Sequence, residues 1–181
     1  MLPTDILKDE HKVVLFALDG AEKEAEAIRA TGKVNHEKIE KIIDFSRNFT
    51  DGCHHAKEEK LLFPKLEERG FDRNSGPVGV MMMEHVEGRR LIAKIAESSE
   101  IVRKGDENGK HILTESLLRY VGLLRNHISK ENNILFEIAE NMLTAEDKQE
   151  LLQRFEDLEN NDTGEVEHER YQKLAHEIND N

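Results

Sequence analysis

The sequence predicts an all-α protein, an up-down-up-down four-helix bundle with additional C-terminal helices, and three observations carry that expectation. Apolar residues recur at helical spacing through four long segments separated by Gly-, Asn- and Asp-containing breaks. The composition, 37% hydrophobic and 35% charged with only three prolines and no tryptophan, is that of a helix-rich chain. A stretch of one segment, His54 to Phe63, returns in degraded form at His127 to Phe136, with His, Lys, Glu, an aliphatic pair and Phe at the same offsets.

Thr4 or Asp5 is expected to cap a first helix running to about Ala30, whose apolar stripe is Leu7, His11, Val14, Leu15 and Leu18. Asn35 caps a second helix through Ile39, Ile42, Ile43, Phe45 and Phe49 to about Arg69, with Asp51-Gly52 as its weak point. After the loop Asn74-Ser75-Gly76, Pro77 opens a third helix to about Lys104, and His85 lies in its stripe. Gly105 to Gly109 breaks the chain before a fourth helix, about Lys110 to Met142, with the cleanest stripe: Leu117, Tyr120, Val121, Leu124, His127, Ile128, Glu131, Ile134, Leu135 and Ile138. Thr144 caps a shorter helix to about Glu159, and a last one runs from Glu165 to Ile178. Residues 1–143 are thus read as the bundle and 144–181 as an acidic helical appendage packed on it.

At a formal charge of −12 and with no clustered Lys or Arg, the chain is not suited to nucleic acid or to an anionic membrane surface. No apolar run approaches the roughly 20 residues of a membrane span. The N-terminus lacks a signal-peptide pattern, and the single cysteine, Cys53, has no internal partner, so a cytoplasmic location is expected.

Residues four apart on a helix share a face. His54 with Glu58 and His127 with Glu131 therefore each offer an imidazole and a carboxylate to one point, and His11 and His85 bring an imidazole from the other two helices. Burying two carboxylates without partners costs several kcal/mol, so cations are called for, and carboxylates mixed with imidazoles favour iron or manganese. A lone core histidine is often merely hydrogen-bonded; four at one level, joined by two glutamates, favour a metal pair. In helix two the internal repeat selects His54 and Glu58, with His55 and Glu59 as the alternates. Counting 100° per residue from Phe45 and Phe49 favours His55 and Glu59, the alignment with helix four favours His54 and Glu58, and a π-bulge near Gly52 would reconcile them. Arg89, one turn after His85, faces the same side, to pair with a carboxylate or close a coordination position. His36, His111, His168 and His176 are read as surface residues, Met81 to Met83 as core packing, and Cys53 as a small buried hydrophobe.

With these residues in view, the chain resembles the hemerythrin-like, or HHE cation-binding, domain family over about residues 4–142. The resemblance rests on His11, on His54 to Pro64, on Gly76 to Met81 leading to Glu84-His85, and on His127 to Phe136. The last three blocks are similar to the di-iron domain of proteins that repair iron centres after nitrosative stress. It implies two non-haem irons, oxo- or carboxylate-bridged, held by His11, His54, Glu58, His85, His127 and Glu131. It also implies a small ligand such as O2, NO or peroxide, bound, sensed or reduced in an oxidative or nitrosative stress response or in repair. The alternative reading is an iron store or a sensor that signals to a protein partner.

Overall fold

A computed structural model of the chain describes residues 1–160 and 164–180, with side chains for all of these except 164–168. They form six helices and no strand. Helix α1 is Pro3–Thr31. Helix α2 spans 36–68 as one continuous rod: α-helical at His36–Phe45, π-helical at Ser46–His55 and again at Glu58–Leu62, and α-helical at Phe63–Glu68. Helix α3 is Gly76–Arg103. Helix α4 spans 108–142, with a π-helical turn at Glu131–Leu135 between Asn108–Lys130 and Phe136–Met142. Helices α5, Ala145–Leu158, and α6, Gly164–Asn179, complete the chain. Among the described residues no helix is long and apolar enough to cross a membrane.

The punctuation follows local chemistry. The Asn35 side chain accepts from the Lys38 N–H at 3.1 Å, and Thr144 and Asp147 cap each other's backbone at the start of α5. At α1 the expected Thr4 or Asp5 cap is corrected. Pro3 takes the first helical position and Leu2 the cap, because the Asp5 carboxylate reaches back to accept the Leu2 N–H at 2.6 Å.

Two apolar clusters flank a polar layer, and their order along each helix fixes the topology. On α1 the sequence runs from Leu7 in one cluster, through His11, to Val14 and Leu18 in the other. On α2 the order reverses, from Phe45 and Phe49 through His54 to Leu62 and Phe63; α3 repeats the order of α1, and α4 that of α2. That alternation is the up-down-up-down bundle.

The last two helices each close one end. Leu151 and Phe155 of α5 join Leu7, Phe63 and Phe136, whereas Tyr171, Ala175 and Ile178 of α6 join Phe45 and Phe49. His111 and His176 are exposed and His36 is half-buried; His168 lies outside the described residues. Met81 is core, as expected, and Met83 is exposed.

Helix α6 approaches α1 at Gly20, where an added Cβ would stand 2.4 Å from the carbonyl oxygen of Ile178. Gly20→Ala is expected to destabilise the protein by about 1–3 kcal/mol in denaturant titration. Gly88→Ala, whose Cβ would meet nothing closer than Leu124 Cδ2 at 3.7 Å, should be neutral or stabilising by up to about 1 kcal/mol.

Candidate metal centre

All six residues singled out by spacing converge in the layer between the two apolar clusters. His11, His54, His85 and His127 are 1% exposed and Glu58 and Glu131 are 0% exposed. Glu131 lies 3.1 Å from His11 Nε2 and 3.2 Å from His127 Nε2. Glu58 lies 3.6 Å from His54 Nε2 and 3.4 Å from His85 Nε2, and the Nε2 atoms of His85 and His127 stand 3.1 Å apart. Two bonds of about 2.1 Å at a right angle separate their donor atoms by about 3 Å, so these spacings suit shared cations.

The outward nitrogens are all occupied. Nδ1 of His54 donates to Glu10 at 2.8 Å, that of His85 to Glu59 at 2.7 Å, that of His127 to Glu84 at 2.9 Å, and that of His11 to the Asn132 side-chain oxygen at 2.8 Å. Carboxylates only accept, so each such ring must place its proton outward and its Nε2 lone pair inward. Inside, both oxygens of Glu58 and of Glu131, together with Nε2 of His11 and of His54, have no hydrogen-bond partner. Buried polar atoms are ordinarily paired. A pair of cations would satisfy all six, and the donor set fits that group.

Without a cation the buried groups compensate one another, protonated imidazole standing beside carboxylate where a cation would otherwise sit. Burial pushes the Glu131 carboxyl up, but the imidazoles of His127, His11 and His85 outweigh it and hold it at about 2. Burial pushes His85 down, but Glu58 and Glu59 hold it up at about 9. His55 behaves oppositely: burial and the neighbouring imidazoles drive it well below the usual histidine range.

The register of helix two resolves through the π-helix. Wider turns over Ser46–His55 bring both His54 and His55 inward, 1% and 4% exposed, while Glu58 faces the centre and Glu59 stands behind His85. Of three groups of potential ligands among the described residues, two lie at this centre, His11, His54, Glu58 and Glu131, and His55, Glu58, His85 and His127; the third, Glu10, Cys53 and Glu159, stands behind it around Lys57. Arg89 faces this side but turns to carboxylates, Asp51 at 2.8 Å and Glu59 at 2.6 Å.

Spacing alone missed the supporting residues. Glu10, Glu84 and Asn132 orient imidazoles, and Lys57, fully buried, joins Glu10 by a short ion pair and Glu159 at 2.5 Å. A signal was present: Glu-His occurs on both helices one and three, as Glu10-His11 and Glu84-His85, and Lys precedes Glu in both repeats. The structure pairs these copies by an approximate twofold. Lys57 and Lys130 bind Glu10 and Glu84, Phe63 stacks on His85 at 5.9 Å, and Phe136 stacks on His11 at 5.5 Å.

Cys53 is 4% exposed, within the core cluster, its Sγ 3.5 Å from Lys57 Nζ. Burial and the Glu10 carboxylate push the thiol up to about 11 against the pull of Lys57. At pH 8 it is expected to stay unreactive toward a disulfide reagent such as dithionitrobenzoate and to react fully once the chain is unfolded. Rapid modification of the native protein would contradict this burial.

The chain was compared with known proteins. The model of the hemerythrin HHE cation-binding domain matches residues 2–139. An uncharacterized protein of Mycobacterium tuberculosis is 22% identical over 167 residues, covering 91% of this chain and 63% of that protein. The iron-sulfur cluster repair protein YtfE of Cronobacter sakazakii is 35% identical over 85 residues, 46% of this chain and 38% of that protein. YtfE of Escherichia coli is 33% identical over 92 residues, 46% of this chain and 39% of that protein. The chain thus spans less than two thirds of the length of these relatives. No solved structure matches. With its fold, its buried His and Glu residues and a domain match across most of its length, the chain belongs to the hemerythrin HHE cation-binding domain family.

Proposed function

We propose that the chain is a cytoplasmic non-haem di-iron protein that binds, and senses or reduces, a small ligand such as O2, NO or peroxide. The observation that carries this reading is the pair of fully buried glutamates, their four oxygens without donors, enclosed by inward-facing imidazole nitrogens. In this reading residues 1–143 hold the centre, and His11, His54, Glu58, His85, His127 and Glu131 would hold the two irons. Imidazole and carboxylate donors without thiolate favour iron over softer-site metals, and bound iron supplies a redox-active Lewis acid at which a diatomic or peroxide can bind.

The chain's own contribution is to hold and to exclude. Glu10, Glu59, Glu84 and Asn132 fix ring orientation through Nδ1. Lys57 and Lys130 offset the charge of Glu10 and Glu84. Apolar residues on both sides, among them Phe63, Phe136, Leu62 and Leu124, keep bulk water out. A part in repair of iron centres under oxidative or nitrosative stress draws support from the relatives named as iron-sulfur cluster repair proteins.

A second reading, an iron store or sensor signalling to a protein partner, is favoured by one feature. A groove of about 1270 Å³ bordered by Asp9, Glu150, Glu156, Glu159 and Glu169 lies against α5 and α6. Glu159 on its wall links through Lys57 and Glu10 to His54. Under this reading, Glu156→Lys with Glu169→Lys abolishes partner capture while iron content stays unchanged.

Protein from iron-supplemented cells is expected to carry two irons per chain and to change its absorption spectrum when NO or peroxide is added to the reduced form. Less than about one metal per chain would sink the di-iron reading. Glu58→Ala and Glu131→Ala should each abolish loading, whereas Glu59→Ala should weaken it only about 10–100-fold. The reverse ranking, measured by elemental analysis, would move the ligands of helix two to the neighbouring register.

A further inference from the structure

The twofold that pairs the halves of the centre fails at one corner. The repeat matches His54 with His127, Glu58 with Glu131, Glu59 with Asn132 and Phe63 with Phe136. At the same offsets, however, His55 is matched by Ile128, Asp51 by Leu124 and Arg89 by Leu15. At this corner one half is therefore apolar, while the other carries three polar side chains in contact. His55 Nδ1 lies 3.3 Å from Asp51, and Arg89 joins Asp51 to Glu59.

Resting on the di-iron reading above, we propose that His55 is a fifth histidine of the centre, the ligand that completes the group of Glu58, His85 and His127 and makes the two metal positions inequivalent. A donor atom of His55 lies within 4.8 Å of those of the other three residues. Its ring stacks on His85 at 3.8 Å and 17° and stands edge-on to His127 at 5.7 Å and 78°; because lone pairs lie in the ring plane, coordination beside His85 requires the His55 ring to tilt out of this stack. Its Nδ1 faces a carboxylate, as do those of His54, His85 and His127, which leaves Nε2 as the coordinating nitrogen.

Backbone geometry supplies an independent argument. Both repeats carry a π-helical turn after the histidine, at Glu58–Leu62 and at Glu131–Leu135. Only α2 also carries one before it, Ser46–His55, whereas α4 is α-helical through Lys130. Adjacent residues of either helix can both be buried, as His127 and Ile128 of α4 are, so the extra π-helical stretch shifts the phase of α2 and sets this half apart from the other. The additional π-helical stretch occurs in the half where a second histidine stands ready to use it.

The consequence is control of access. A pocket of about 200 Å³ lined by Asp51, His55, Gly88, Arg89 and Tyr120 abuts this corner, so a small ligand arriving through it meets His55 before the metal. His55 then occupies the coordination position that faces the pocket, and its removal opens that position.

The test uses the full iron-loaded chain, with azide as the probe. The wild type is expected to hold two irons with two distinct Mössbauer doublets. His55→Gln should keep both irons, shift one doublet only, and bind azide at least about tenfold more tightly. Unchanged doublets and unchanged azide affinity in His55→Gln, with two irons present, would overturn the proposal and leave the di-iron reading standing. Fewer than about one iron in the wild type would instead remove the di-iron reading, and this proposal with it. Should the variant fold poorly, a crystal structure of the loaded wild type decides: His55 Nε2 within about 2.2 Å of iron supports the proposal, and a distance beyond about 3 Å overturns it.

Discussion

Glu58 and Glu131, two carboxylates fully removed from water and without a hydrogen-bond donor on any of their four oxygens, set the terms for everything around them. An uncompensated buried ion costs several kcal/mol, and two facing each other would repel as well. Each is surrounded by imidazole nitrogens at 3.1–3.6 Å. Those imidazoles are themselves turned inward because their other nitrogens are tied to Glu10, Glu59, Glu84 and Asn132. The outer acceptors are tied in turn, Glu10 to Lys57, Glu84 to Lys130 and Glu59 to Arg89. Charge thus alternates outward from the centre, in shells that the low dielectric makes strong and that would be costly to leave incomplete.

This layer interrupts the core, and the fold is arranged to tolerate the interruption. Splitting the apolar side chains into two clusters lets each helix cross the polar layer once, between well-packed ends. The last two helices strengthen those ends separately, α5 around Phe155 and α6 around Tyr171, Ala175 and Ile178. The close approach of α6 to Gly20 makes the C-terminal segment part of the same packing problem as the bundle.

Approximate twofold symmetry explains why a short list of residue types builds so much of the site. A Glu-His pair on α1 and on α3, and a His-Lys-Glu-Phe series on α2 and on α4, generate two related half-sites. The departures from symmetry, His55, Asp51, Arg89 and Glu59 against Ile128, Leu124, Leu15 and Asn132, gather on one side, beside the pocket. Related halves can hold a metal pair; unequal halves can give its two members different tasks.

Much of this was written in the sequence. The 3.6-residue periodicity, the caps at Asn35 and Thr144 and the glycine breaks delimited the helices, because those signals act within a few residues of one another. The convergence of His11, His54, Glu58, His85, His127 and Glu131 was legible from spacing, since a helix carries position into direction. The start of α1 was displaced only by Pro3 and Asp5. The register of α2 was legible only through its repeat in α4, which favoured His54 and Glu58: π-helical turns follow from how the helix packs on its neighbours, and counting 100° per residue assumes they are absent. Nor was it visible that Asn132 would meet His11 or that Lys57 would join Glu10 to Glu159, contacts between residues far apart in the chain. The sequence by itself determined which side chains each helix turns toward a common axis. Only the tertiary structure decided how the facing helices meet, and hence that His54 and His55 both enter the centre and which groups stand behind each imidazole.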